Sequence, residues 1–108
     1  MEVYDFSVKR GATFSVSLRF KQSGSVMDLT GYSVKSQVRV CPDGGALVAE
    51  MSAAVKPEEG LVVLSIADEV TAGMESGLYA WDMRMTDPEG NTRYYIGGKF
   101  AVLPSVTE

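Results

Sequence analysis

Apolar and polar residues alternate along most of the chain, in runs that end at turn-forming residues. The clearest run covers residues 14–20, where phenylalanine, valine and leucine occupy every second position and alternate with serines and an arginine. A period of two is typical of a β-strand with one buried and one solvated face. Similar alternation covers residues 4–8, 32–40, 47–55, 61–66, 79–85 and 94–102. These runs predict about seven or eight strands, as in a β-sandwich or a small barrel.

One segment breaks the alternation. The stretch "ADEVTAGMES" begins with the acids Asp68 and Glu69 and places Val70 and Met74 one helical turn apart. It predicts a short helical crossover between two strands. The other connections have sequences such as "PDGG", "KPEEG" and "DPEGN", which combine proline and glycine with acids or amides and therefore predict turns.

The stretch after the crossover, "SGLYAWDMRM", places Gly77, Tyr79 and Trp81 at alternate positions. In immunoglobulin-like sandwiches a tyrosine at this place hydrogen-bonds back to the backbone of the crossover, and here we expect its partner near Asp68. Trp81 stands where an antibody domain has the second cysteine of its disulfide. Its ring is therefore expected to fill the space between the two sheets.

The neighbouring Trp81 and Asp82 could instead form a ligand-stacking site. Alternation favours the structural interpretation, because consecutive residues of a strand point to opposite faces of the sheet. The predicted fold is therefore an all-β, immunoglobulin-like antiparallel β-sandwich of about seven to eight strands with one short helical crossover. We expect a single domain over residues 1–108.

Composition limits the classes of function. The chain has 108 residues, 45% of them hydrophobic, which suits one domain with one core. Its formal net charge of −4 works against binding to a phosphate backbone, so nucleic acid is not an expected partner. No apolar run approaches the roughly 18 residues of a membrane helix, and the first residues lack the features of a signal peptide. We expect synthesis in the cytoplasm and no membrane partner.

Catalytic and metal-binding chemistry finds little support in the sequence. Histidine is absent and Cys41 is the only cysteine, which excludes an intrachain disulfide and a zinc site built from these residue types. Asp87, Glu89 and Asn91 alternate in a way that superficially suits calcium, but the loop is too short for an EF-hand and favours a hairpin turn. We expect no enzyme activity and no catalytic, cofactor-binding or metal-binding residues.

Gly97 and Gly98 interrupt the last alternating run. Glycines inside a strand mark a bulge or the close approach of another backbone. The bulge is the simpler interpretation, and a docking groove for a neighbouring chain is the alternative. Gly77 and Gly98 are thus expected to have structural roles, as are Tyr79 and Trp81.

A candidate binding surface emerges when three of the predicted strands are placed side by side. If residues 33–40, 80–85 and 93–100 are the C, F and G strands of one sheet, their outward positions gather many of the cations. The candidate partner-binding residues are Lys35, Arg39, Arg84, Arg93, Tyr95 and Lys99. Such a face suits contact with other copies of the chain or with an acidic partner, although ordinary solvated strands have a similar composition.

The N-terminal run "MEVYDFSV" is apolar on one face and is separated from the next strand by Arg10 and Gly11. Two arrangements are open. The run closes its own sheet as strand A, which is expected for an isolated domain, or it pairs with a neighbouring subunit by strand addition.

Four short motifs resemble a known family. They are "RGATF", "DLTGY", "GLYAWDM" and the closing "GGKFAVLPSVTE". In this order they resemble small bacteriophage and prophage structural proteins, including the immunoglobulin-like N-terminal domains of phage baseplate upper proteins. The resemblance spans nearly the whole chain, but each motif is short and mostly architectural. Ala12 replaces the acid that is commoner in the family after Arg10 and Gly11.

The resemblance implies a non-enzymatic virion structural protein, a multi-copy adaptor in the tail, the baseplate or the fibre-attachment region. The alternative is a head-decoration or cementing protein of the capsid. A third possibility is a module that binds host-surface carbohydrate, for which Tyr32, Tyr94 and Tyr95 are the plausible exposed aromatics. The implied location is the virion, and the implied partners are tail, baseplate, portal-proximal or capsid proteins together with copies of the chain itself.

Overall fold

The computed structural model describes residues 2–22, 24–40 and 45–105. The strands, in chain order, are β1 (Glu2–Val3), β2 (Phe6–Lys9), β3 (Phe14–Arg19), β4 (Lys21–Gln22), β5 (Ser25–Val26), β6 (Ser33–Val40), β7 (Leu47–Lys56), β8 (Leu61–Ile66), β9 (Gly77–Thr86) and β10 (Thr92–Leu103). A 3-10 turn (Pro57–Glu59) precedes β8, and helix α1 (Asp68–Ala72) joins β8 to β9. The predicted all-β fold with one short helical crossover is confirmed.

Some of the residues on which sequence predictions were based lie outside the described ranges. Cys41 and most of the "PDGG" turn belong to residues 41–44, which the structure does not describe. The same holds for the last three residues of the closing motif, 106–108.

The strands form two layers that share β7. In the larger layer β1 and β2 both pair with β10, which is followed across the sheet by β9, β6 and the first half of β7. The smaller layer consists of the second half of β7, β8 and β3. The predicted C, F and G strands are β6, β9 and β10, and they lie side by side. The prediction of antiparallel pairing needs one correction, because β1 and β2 both run parallel to β10.

The core lies between the layers and is built from the inward positions of the strands. On β9 these positions are Trp81, Met83 and Met85, each at most 3% exposed. They belong to one cluster of buried apolar side chains that spans both layers. Phe14 of β3 and Phe100 of β10 meet edge to face across it, with ring centres 5.0 Å apart. Full burial of one large apolar side chain contributes roughly 1.5 to 3 kcal/mol, so this cluster is the main source of stability.

A tyrosine corner forms close to the start of β9, at Gly77. The hydroxyl of Tyr79 donates to the backbone carbonyl of Glu75 over 2.6 Å, which ties the end of the crossover to the strand that follows. The predicted partner near Asp68 is wrong. Helix α1 takes up the first half of the crossover, so the carbonyl within reach of Tyr79 belongs to the second half.

The "RGA" stretch docks on this crossover. Thr71 is fully buried, and its Oγ1 donates to the Ala12 carbonyl at 2.7 Å and accepts from the Gly11 amide at 3.2 Å. The Nε of Arg10 donates to the carbonyl of Ala72 at 3.1 Å, at the end of α1 where a cation is favourable. This motif therefore fixes the bend before β3 against the crossover.

The N-terminal run closes its own sheet. The Tyr4 amide donates to the Gly97 carbonyl at 2.8 Å, and the indole Nε1 of Trp81 donates to the Tyr4 carbonyl at 2.8 Å. The Lys99 amide donates to the Asp5 carboxylate at 2.9 Å. Of the two arrangements left open by the sequence, the structure has strand A in its own domain.

Gly98 is required by the close approach of this N-terminal segment. A Cβ at Gly98 would collide with the backbone carbonyl of Tyr4, so only glycine fits there. The preferred interpretation of the glycine pair as a bulge is wrong, because the break in register between β9 and β10 lies earlier, between Tyr94 and Ile96. The approaching backbone belongs to the same chain and not to a neighbouring one.

The hairpin between β9 and β10 confirms the predicted "DPEGN" turn. The Oδ1 of Asp87 accepts from the backbone amides of Asn91 at 2.9 Å and Glu89 at 3.0 Å. These bonds, above all the one from the Asn91 amide, hold the pKa of Asp87 below its usual value. This carboxylate is a structural part of the turn, as the hairpin interpretation predicted.

Candidate functional site

Strand pairing arranges the outward side chains of β6, β9 and β10 in three rows, because directly paired residues share a face of the sheet. Each row takes one residue from each strand. The rows are Lys35–Arg84–Tyr94, Gln37–Asp82–Gly97 and Arg39–Ala80–Lys99. The first and third rows hold four of the chain's ten lysines and arginines. We call this surface the cationic face, after Lys35, Arg39, Arg84 and Lys99.

The middle row separates the two cationic rows. It has Asp82 at its centre, and Glu50 of β7 continues it beyond Gln37. Successive rows are two residues apart along β6 and β9, so the two cationic rows are about 13 Å apart at roughly 3.3 Å per residue. The face therefore has two positively charged rows, and between them lies a row of acidic and amide side chains.

A shallow groove of about 370 Å³ lies on this face. Its lining includes Lys35, Gln37, Arg39, Ala80, Asp82, Arg84 and Tyr94. Gly97 leaves the β10 end of the middle row without a side chain, and a Cβ there would be 2.9 Å from the Trp81 carbonyl and 3.0 Å from the Asp82 Cβ. The middle row is thus the floor of the groove, and the cations form its sides.

Arg39 is held in place before any partner arrives. Its Nη2 and Nε donate to the Oε1 of Gln37 at 2.9 and 3.2 Å, and its Nη1 donates to the Gly45 carbonyl at 3.0 Å. An ordered guanidinium loses less conformational entropy when it binds an anion than a free one does. The third row therefore offers a positioned cation.

Trp81 and Asp82 both border the groove, but their side chains point to opposite faces of β9. Trp81 is 3% exposed, and its ring packs on Phe6 with the ring centres 4.8 Å apart. Asp82 belongs to the outward middle row. The ligand-stacking alternative at this pair is therefore wrong, and Trp81 has the structural position that alternation predicted.

Two of the six candidate residues are not on the cationic face. Tyr95 packs against the core and meets the ring of Phe20 at 6.0 Å, because the bulge places Tyr95 and Ile96 together opposite the buried Met83. Its neighbour Tyr94 takes the outward position in its stead and is 54% exposed.

Arg93 is the other misplaced residue. It pairs with Met85, whose side chain is buried, so its register position belongs to the inward face at the end of the sheet. Its positive charge also helps to lower the pKa of Asp87 in the adjacent turn. The structure places four of the candidates outward as expected, namely Lys35, Arg39, Arg84 and Lys99. The face also contains Tyr94 and Gly97. Alternation alone could not identify them, because the bulge changes the register of β10.

Within the described ranges, histidine, cysteine, aspartate and glutamate side chains do not gather in threes where they could hold a metal ion. Among the helices of the described chain, none has the length and apolar character needed to cross a membrane.

Comparison with known proteins finds similarity in structure only. No family model matches the chain, and no curated protein is similar to it in sequence. Among 290 similar chains of solved structures is CopC from Methylosinus trichosporium OB3b, with a TM-score of 0.55 and 18% sequence identity over 94% of this chain and 86% of that one. At this identity the likeness shows the fold.

The prediction of a bacteriophage virion structural protein is wrong, because the likeness to CopC points away from a phage structural role. The capsid and carbohydrate-binding alternatives are corrected with it. The virion location and the virion partners depended on that prediction and are not proposed. The family resemblance of the short motifs stays a prediction.

Proposed function

We propose that the protein is a binding domain without enzymatic activity, and that its cationic face receives an acidic segment of a partner protein. The observation that carries the proposal is the arrangement of four cations in two rows, of which Lys35, Arg84 and Arg39 line a groove and Lys99 extends the third row. In a chain of net charge −4, this arrangement concentrates positive potential on one surface. An anionic partner would be attracted to that surface and repelled elsewhere.

The spacing of the rows favours separated carboxylates. On an extended segment, two acids four residues apart are about 13 Å apart, which matches the distance between the rows. One acid would meet Lys35 and Arg84, and the other would meet Arg39 beside Lys99. The residues between them would cross the recessed middle row, which contains the carboxylate of Asp82.

A nucleic acid fits this face less well. A phosphate backbone carries a charge at every nucleotide, so it would also place negative charge over Asp82 and Glu50. A peptide can leave that position neutral. The acids of the middle row therefore favour a protein segment with spaced charges over a continuous polyanion.

The test uses amide NMR of the whole protein with a synthetic peptide that carries two glutamates four residues apart in a serine and glycine background. We expect amide shifts confined to β6, β9 and β10. Lys35→Glu combined with Arg84→Glu should weaken the affinity by about tenfold or more, equivalent to about 1.4 kcal/mol. Lys9→Glu combined with Lys56→Glu is the matched control, because it makes the same change in charge at exposed positions outside the face.

Two further probes separate the alternatives. A peptide with adjacent glutamates should bind more weakly than the spaced one, and a short oligothymidylate should bind more weakly than both. Equal loss of affinity in the groove and control variants would mean unspecific attraction and would overturn the proposal. Tighter binding of the oligothymidylate would overturn it in favour of nucleic acid.

A further inference from the structure

The smaller layer of the sandwich ends at β3, whose outer edge has no strand beside it among the described residues. β3 pairs with β8 in unbroken register from Phe14 to Arg19. Edge strands of natural proteins are commonly blunted by proline, by a bulge or by an inward-pointing charge. The six residues of β3 have none of these. The free edge is therefore a template for another strand.

The inward side chains of β3 are also incompletely covered. Val16 and Leu18 are half-buried, whereas Leu64 and Val62, directly opposite on β8, are fully buried. Beside them an apolar cleft of about 730 Å³ opens between β3 and the N-terminal strands. Its walls include Tyr4, Phe6, Phe20, Met27 and Tyr95. A strand added at this edge would cover apolar side chains as well as pair with backbone groups.

We propose that this edge binds a second copy of the chain, by antiparallel pairing of β3 with β3 about a twofold axis at Val16. In this register Val16 faces its own copy, Phe14 faces Leu18, and Ser15 faces Ser17. Apolar side chains then meet on the inward face and serines meet on the outward face, because strict alternation makes the strand complementary to itself. The two small layers would join as one continuous sheet.

Charge supports the same orientation. One end of β3 carries Arg19, and Lys21 follows it. At the other end, the strand paired with Phe14 leads directly into α1, which begins with the exposed acids Asp68 and Glu69. Antiparallel pairing brings Arg19 and Lys21 of each copy towards Asp68 and Glu69 of the other, and the twofold axis makes this contact twice. Parallel pairing would instead place like charges together.

Sedimentation velocity on the whole protein, from about 1 µM to about 1 mM, measures the association directly. We expect a monomer–dimer equilibrium that Ser15→Lys with Ser17→Lys shifts to at least about tenfold higher concentration. Ser52→Lys with Ala54→Lys is the matched control, because these residues occupy the same rows at the opposite edge of the same layer. The control should dimerise like the wild type.

A charge exchange tests the orientation. Arg19→Glu with Lys21→Glu should weaken the dimer, and addition of Asp68→Lys with Glu69→Lys should restore it, because the contact is the same with its signs reversed. Slower amide exchange of β3 at high concentration would locate the interface. The folded state of every variant is checked by the fluorescence of the buried tryptophan.

Three other outcomes would overturn the proposal. A wild type that stays monomeric over the whole range would leave the β3 edge to a strand of a different protein. Loss of the dimer in the control variant would show that the interface lies at β7. If the charge exchange did not restore the dimer, the antiparallel register would be excluded. The cationic face is not involved, so Lys35→Glu with Arg84→Glu should leave dimerisation unchanged.

Discussion

The two faces of β9 differ in nearly every physical respect, although they alternate residue by residue along one strand. Trp81, Met83 and Met85 are buried among the side chains of both layers. Asp82 and Arg84, interleaved with them, line a groove open to solvent. The side chains that stabilise the fold and those to which we assign binding are therefore one position apart along the chain. The outward face can change its charges while the inward face keeps the fold.

The largest effect should come from Trp81→Ala. The substitution removes a buried ring and the hydrogen bond of its Nε1 to the Tyr4 carbonyl. We expect a loss of roughly 3 to 5 kcal/mol in the free energy of unfolding, measured by urea denaturation. A loss below about 1 kcal/mol would contradict the central place of this ring in the core.

Gly98→Ala should have the next largest effect, although it adds only a methyl group. The Cβ would collide with the Tyr4 carbonyl, so the N-terminal segment must shift, at a cost of roughly 1 to 3 kcal/mol. Gly73→Ala is the control, because its Cβ would meet no atom closer than 3.6 Å. Thermal unfolding of the two variants would contradict this account if their midpoints fell equally.

Tyr79→Phe should have a smaller effect. It removes only the hydroxyl that donates to Glu75, and one such hydrogen bond contributes about 1 kcal/mol to stability. Tyr94→Phe removes the same group from an exposed ring of the cationic face and should change stability by less than about 0.5 kcal/mol. Equal losses in chemical denaturation would show that the corner contributes no more than an exposed tyrosine.

The smallest effect on stability is expected for Arg84→Ala, one residue along from the buried Met83. Substitutions on solvated faces usually change the free energy of unfolding by less than about 0.5 kcal/mol. Met83→Ala should cost roughly 2 to 5 kcal/mol by the same measurement. If the two costs were alike, the separation of tasks between the faces of β9 would not hold.

Most of the architecture could be predicted from alternation and turn residues. The runs ending at Phe20, Val40 and Met85 correspond to β3, β6 and β9, and the acidic segment after Ile66 corresponds to α1. These features are local, because the period of side-chain burial and the preferences of glycine and proline depend on neighbouring residues.

The candidate site was predictable only in part. Alternation turns Lys35, Arg39 and Arg84 away from the core, but that they share one face follows from the pairing of β6 with β9. Tyr95 was misplaced because a bulge inserts one residue against its partner strand, and nothing in "RYYIGG" distinguishes which tyrosine is inserted. The choice depends on contacts between strands that are distant in sequence, such as the ring of Tyr95 against that of Phe20.

By itself the sequence determined the all-β class, the crossover, the hairpin turn at Asp87 and the inward position of Trp81, because each follows from interactions between residues close along the chain. Only the tertiary structure decided that β1 and β2 run parallel to β10, that Gly98 makes room for the Tyr4 carbonyl, and that β3 has a free edge among the described residues. These features depend on which strands meet in space. Pairing between distant segments is set by the packing of the whole core, and a local pattern does not contain it.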